Sequence, residues 1–173
     1  MEVIHLCFFR IEYLTSVIIA SMGETNMEKF VAVSLKTHEE YLGILNKLKS
    51  KSKYVEIVQI DGFDKEDKIV EFANCHLKLI EKREVNKWLG TKTNRVVPKY
   101  VYLIPSEGRD FWKFLSRFSS FYLESYSEKY GYMPLETEFG LDDIAFLDKD
   151  KNPLFYTTTH EGYADIAVSL IDK

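Results

Sequence analysis

Four side chains near the C-terminus have the types to do chemistry together: Asp142, Asp143, His160 and Glu161. An imidazole beside carboxylates can take up and return a proton near neutral pH. The same set could supply donors to a divalent metal, which needs three or four ligands. Their spacing brings them together if the segment between them is a β-hairpin. Ile144 and Phe146 alternate with Ala145 and Leu147, and Leu154 to Thr159 is rich in aromatic and β-branched residues that suit a pleated surface. Between them lies Lys149-Asp150-Lys151-Asn152, closed by Pro153, which is turn chemistry. Pairing Asp148 with Pro153 sets Asp143 opposite Thr158 and Leu141 opposite His160. Asp143 and His160 are then diagonal neighbours on one face, roughly 7–8 Å apart. Asp142 and Glu161 fall together on the other face, where they repel unless a cation or a basic side chain stands between them. A one-residue slip would exchange the faces. This polar cluster has three readings. His160 is pinned by Asp143 and closes the hairpin end, or the cluster holds a metal or does catalysis, or it touches a partner. The first asks least of the sequence.

Cys75-His76 is a further thiol–imidazole pair, with no third group to orient it. Cysteine is commonly just a small buried residue. Cys7 and Cys75 form neither a disulfide framework nor a metal spacing. The sequence has no glycine-rich phosphate loop, no nucleophile elbow and no His-Glu-x-x-His, and His160-Glu161 lacks the second histidine of that motif. These features lead to the expectation of a chain that is not an enzyme and has no cofactor and no metal.

The elements that must hold the cluster read as follows. Phe30–Leu35 is a short strand, and Thr37-His-Glu-Glu40 is a capping box for a helix over about 38–49 with Tyr41, Ile44, Leu45 and Leu48 on one face. Its closing lysines suit the helix dipole, and His38 in its first turn reads as exposed and inert. Tyr54–Ile60 is a strand. Residues 64–75 read as helix and 76–82 as strand, although one long helix fits equally. Trp88-Leu-Gly90-Thr91 breaks the chain, Thr91–Val97 reads as a polar loop and Lys99–Ile104 as a strand. Trp88 is either core or a partner anchor. Phe111, Trp112, Phe114, Leu115, Phe118, Phe121 and Tyr122 recur at helical spacing, so a helix over 109–124 should lay an aromatic stripe on the sheet. Ser125–Phe139 reads as a long loop, and Tyr163–Ile171 as a strand or a short helix. The fold class is α+β: a mostly antiparallel sheet of about five strands, packed against two helices and ending in the C-terminal hairpin.

The chain has 173 residues, 46% hydrophobic, which suits one domain. Residues 1–26 read as an extension to a domain over 27–173. Val3–Ala20 is apolar but interrupted by His5, Arg10 and Glu12, a poor membrane span and a poor signal peptide. Gly23-Glu24 ahead of Met27 suggests Met27 as the start. A cytoplasmic protein is expected, with no membrane and no nucleic acid as partner, since the net charge is −4. Charge is unevenly spread. Between Lys78 and Lys99, basic residues outnumber Glu81 and Glu84, whereas Glu124 to Asp148 carries seven acids against Lys129 alone. An acid-rich region can steer a basic partner.

The run Asp142-Asp143-Ile-x-Phe, the turn, and Leu154-Phe-Tyr-x-x-Thr159-His160-Glu161-Gly162 resemble the closing hairpin of small bacterial α+β proteins, some of them immunity proteins of polymorphic toxin systems. Trp88-Leu-Gly90-Thr91 fits the same resemblance. It implies a non-catalytic binding protein that inhibits a protein toxin with a basic surface. Tyr130, Tyr132, Glu136, Glu138 and Asp142 are the expected contacts. Two other functions remain open: a small metal-dependent hydrolase using Asp142, Asp143, His160 and Glu161, and a structural or self-associating protein. Oligomeric state is not legible.

Overall fold

The computed structural model describes residues 29–60, 68–127, 131–135 and 142–171, with backbone alone at 123–127, 131–135 and His160. The proposed extension over 1–26 lies outside them. In chain order the elements are β1 (Phe30–Val33), α1 (His38–Lys49), β2 (Tyr54–Val58), α2 (Lys68–His76), β3 (Lys78–Trp88), β4 (Thr91–Leu103), α3 (Arg109–Leu115), β5 (Leu123–Ser127), β6 (Gly131–Leu135), β7 (Asp143–Leu147), β8 (Pro153–Thr158) and β9 (Tyr163–Ala167). Single 3₁₀ turns follow β8 (Thr159–Glu161) and β9 (Val168–Leu170).

The α+β class and the antiparallel sheet hold. The strand and helix numbers expected from sequence do not. Seven strands form one sheet in the order β1-β9-β8-β7-β2-β4-β3, and β5-β6 form a separate hairpin. Every pairing in both is antiparallel. There are three α-helices among the described residues, not two. The extra strands come from stretches read as break, polar loop and long loop. The strand read over 76–82 is the first half of β3, which runs on to Trp88 through the stretch read as a break and is exposed along nearly its whole length. Beyond Lys82 both faces meet solvent, so that part gives no period-two signal.

One face of the sheet is the core. Val55 and Ile57 of β2, Ile144 and Phe146 of β7, Phe155 of β8 and Ile166 of β9 are buried under the helices. From α1 come Tyr41, Ile44, Leu45 and Leu48, and from α2 Ile69, Val70 and Ala73. The Thr37 cap forms as expected: Glu40 N–H donates to Thr37 Oγ1 (3.2 Å), and Thr37 N–H donates to Glu40 Oε2 (3.0 Å). The aromatic stripe packs on the sheet, with Trp112 stacked on Phe146 at 5.6 Å and Phe121 5.4 Å from Phe155. The helix carrying it ends at Leu115, earlier than the spacing suggested. Phe118, Phe121 and Tyr122 are buried from the irregular segment beyond, so burial and not helix continuity accounts for their spacing.

The opposite face is covered in part by the sheet's own long hairpin. Beyond Val58↔Lys99 the β3–β4 arm outruns β2. Two irregularities in its pairing, at Leu79/Glu81 and Val85/Lys87, let it bend. Its tip comes down on β7 and β8. Trp88, Val58 and Val97 form a second small apolar cluster there, with Ile60 and Val85 against it.

Candidate functional site

The C-terminal hairpin has the expected register in its body, with Phe146 opposite Phe155 and Ala145 opposite Tyr156. A bulge shifts Leu147 onto Pro153, one residue away from the expected Asp148–Pro153 pairing. Asp148 instead organises the turn. Its carboxylate accepts from the Asp150 and Asn152 backbone N–H groups (both 2.8 Å) and from Asn152 Nδ2 (3.0 Å). Partial burial pulls the Asp148 pKa upward, but those hydrogen bonds outweigh it and hold the group below its usual value.

At the other end the β7–β8 ladder stops after Ala145↔Tyr156, and threonine side chains take over. Ile144 N–H donates to Thr157 Oγ1 (3.0 Å), and the Thr159 hydroxyl donates to the Asp142 carbonyl (2.7 Å). The Asp143 carboxylate accepts from Thr159 N–H on Oδ1 and from the Trp88 indole Nε1–H on Oδ2, both at 2.7 Å. Asp143 is 3% exposed and Trp88 9%. A carboxylate taken from water is tolerated when donors replace the lost hydration. Next to it Gly90, at φ +76°, takes a conformation that favours glycine, and a Cβ there would stand 2.6 Å from Thr158 Oγ1 and 2.9 Å from Tyr156 Cε2. The Trp88–Thr91 element and the hairpin end, apart in sequence, are thus one packed joint.

This arrangement places the expected cluster differently. His160 is not on the strand but in the 3₁₀ turn Thr159–Glu161, so the diagonal cross-strand placement with Asp143 does not arise. The chain leaves the ladder at Thr159 because that residue's backbone and hydroxyl turn inward to Asp143 and Asp142. Of the two carboxylates expected together on the other face, Asp142 is buried, 4% exposed, and Glu161, in the 3₁₀ turn, is exposed. Tyr163 lies within electrostatic reach of Glu161, Asp165 and Asp143. Burial raises its phenol pKa, the Thr158 hydroxyl pulls the other way, and the three carboxylates add to the rise. Of the expected partner contacts, Tyr132 lies on β6, whose backbone runs against the Thr159–Glu161 turn. Tyr130, Glu136 and Glu138 lie outside the described residues. Among the described residues, no three of His, Cys, Asp and Glu come together as a metal ligand set.

A dent beside the joint, bordered by Glu56, Trp88, Asp143 and Tyr156, encloses at most about 160 Å³. Small-molecule sites commonly run to roughly 300–1,000 Å³. Near it Lys99 Nζ meets Glu56 Oε2 at 2.5 Å, with both side chains nearly buried. Burial raises the Tyr156 phenol well above its usual value, and the hydrogen bond to Asp165 across the β8–β9 ladder adds to this. Reading the sequence missed Trp88 as the partner of Asp143. The Thr157-Thr-Thr159 run facing two aspartates was the available signal, since hydroxyls beside carboxylates at a strand end foretell backbone capture.

Comparison with family models, with curated proteins and with solved structures finds no match. No helix among the described residues is long and apolar enough to cross a membrane.

Proposed function

We propose that this chain is a non-catalytic binding domain that acts by docking onto another protein, in the manner of an immunity-type inhibitor of a toxin. One observation carries the reading. The acidic residue best placed for chemistry, Asp143, is buried and holds the Trp88 indole and the Thr159 amide, which spends it on joining the β3–β4 arm to the hairpin. A general base or a metal ligand must reach a substrate or an ion from a cleft, and the dent that the described residues form here is smaller than small-molecule sites commonly are. The hydrolase reading is therefore the weaker one.

The acid-rich region offers less surface than its composition suggests. Asp142 and Asp143 are buried, and Asp148 is engaged in its turn. The test is capture from cells of the source organism on the immobilised chain, followed by expression of the captured protein. A partner held at constant ratio, which arrests growth when expressed alone and is relieved by this chain, supports the reading. Failure to capture any protein, or turnover of a substrate lost in Asp143→Asn with the fold intact, overturns it.

A further inference from the structure

We infer that the outer edge of β3 receives an extended acidic segment of a partner protein as an added strand of the sheet. The inference rests on the binding reading and gives it a surface and a partner chemistry.

β3 spans 11 residues and ends the sheet, and among the described residues it pairs with β4 alone. At about 3.3 Å per residue it offers roughly 36 Å of edge. The opposite edge, β1, has 4 residues. An open edge presents alternating N–H and C=O groups, which match another extended backbone. Leu79 and Ile80 stand exposed side by side where the pairing shifts, at 44% and 40%. Lysines alone can guard an edge against chance pairing, but such guarding does not call for two exposed aliphatics.

The charge selects the occupant. Lys78, Lys82, Arg83 and Lys87 are exposed on β3, and Lys92 and Arg95 on the adjoining part of β4. The Glu81 carboxylate is already met by Arg83 Nε at 2.9 Å and by Lys151 Nζ at 3.9 Å. Glu84 is exposed on β3 as well, so four cations stand against two carboxylates on the strand; the edge is basic on balance, and two copies of it would repel if paired. An acidic strand is attracted by the same residues. A single-stranded nucleic acid would want stacking platforms, but the aromatic residue of β3, Trp88, is buried. The arm is held at its tip by the Trp88–Asp143 bond, so the edge is already shaped before binding and loses little freedom on it.

The probe is a fluorescein-labelled ten-residue peptide of alternating glutamate and valine, read by anisotropy and by amide hydrogen exchange. It should bind and slow exchange along β3. Affinity should fall at least tenfold when alternate peptide nitrogens are methylated, and at least tenfold in the double substitution Lys82→Glu with Arg83→Glu. The methylated peptide tests pairing on the unaltered protein, so the result does not depend on a variant folding. No binding, equal binding of the methylated peptide, tighter binding of a ten-nucleotide oligothymidine at the same edge, or a dimer broken by the double substitution each overturns the inference. A cellular partner captured equally by the unaltered and the doubly substituted protein overturns the edge and leaves the binding reading standing.

Discussion

Replacing Trp88 by Phe tests whether the joint is structural. The phenyl ring keeps most of the packing against Val58 and Val97 but removes the indole donor, leaving the buried Asp143 with the Thr159 amide and without its 2.7 Å partner on Oδ2. A hydrogen bond to a charged group contributes about 1.5–3 kcal/mol. The smaller ring gives up roughly 30–40 Å² of buried apolar area, about 1 kcal/mol at 25 cal/mol per Å². The expected loss is therefore about 2.5–4 kcal/mol. At about 2–4 °C per kcal/mol for a chain of this size, that lowers the Tm by about 5–15 °C. Urea unfolding followed by far-ultraviolet circular dichroism should show a lower midpoint at an unchanged slope. The decisive number comes from the double-mutant cycle with Asp143→Ala. Its coupling energy should be about 1.5–3 kcal/mol. Coupling below about 0.5 kcal/mol would mean that the two side chains do not support each other. The structural account of Asp143 would then fail, and its burial would need another explanation.

Four further outcomes follow from the same geometry. Gly90→Ala should destabilise by more than about 2 kcal/mol, since a Cβ would stand 2.6 Å from Thr158 Oγ1 at φ +76°, and thermal denaturation would show it. Glu56→Ala should cost about 3–5 kcal/mol in urea unfolding by stranding Lys99, whereas Glu56→Leu combined with Lys99→Met should come close to neutral. Thr37→Ala should cost about 1 kcal/mol by opening the α1 cap, measured as a midpoint shift. Asp148 has a folded pKa below its unfolded value, so its contribution is present above about pH 4 and is lost as pH falls through the lower folded value. Acid titration of Asp148→Ala should accordingly show a shallower loss of stability below pH 4 than the unaltered chain.

The elements with local grammar were legible. Thr37 and Glu40 announce the start of α1, and the turn over Lys149–Asn152 with its flanking apolar residues announces the hairpin and the register of its body. The bulge at Leu147 was not legible, because it depends on how Asp148 folds back on its own turn. The strand read over 76–82 matches the first half of β3, but the second half of β3 and the first half of β4 were missed for a different reason. Their residues face solvent on both sides or sit at irregular pairing, so no alternation marks them, and only the sheet they extend makes them strands. The candidate site was half legible. Of the expected Asp142, Asp143, His160 and Glu161, the two aspartates are held at the strand end, but by Thr159 and by a tryptophan 55 residues away in sequence, neither of which was in the expected cluster. No local pattern encodes a contact of that range.

The joint also changes what the resemblance can mean. Its two short motifs, Trp88–Thr91 and Asp142–Gly162, turn out to touch: the indole bonds Asp143, and Gly90 sits on Tyr156 and Thr158. Gly162, at φ +70°, ends the 3₁₀ turn that carries Thr159 inward. Trp88, Gly90, Asp142, Asp143 and Thr159 therefore each have a task in closing a long hairpin arm onto its own sheet. A chain that closes a sheet in this way needs a donor, an acceptor, a glycine at the contact and hydroxyls to finish the ladder, whatever it binds. Likeness in these residues thus speaks to how the arm is fastened, and recognition has to come from residues that the fastening leaves free. Among the described residues the proposed edge of the arm is one such place. Trp88 holds one end of β3, and from there to Lys78 the strand offers an unpaired edge with exposed lysines and two exposed aliphatics. The buried joint and the open edge are consecutive parts of one hairpin, so loosening the first should weaken binding at the second. Trp88→Phe should reduce acidic-peptide affinity without touching a residue of the edge's exposed face, and an unchanged affinity would separate the two.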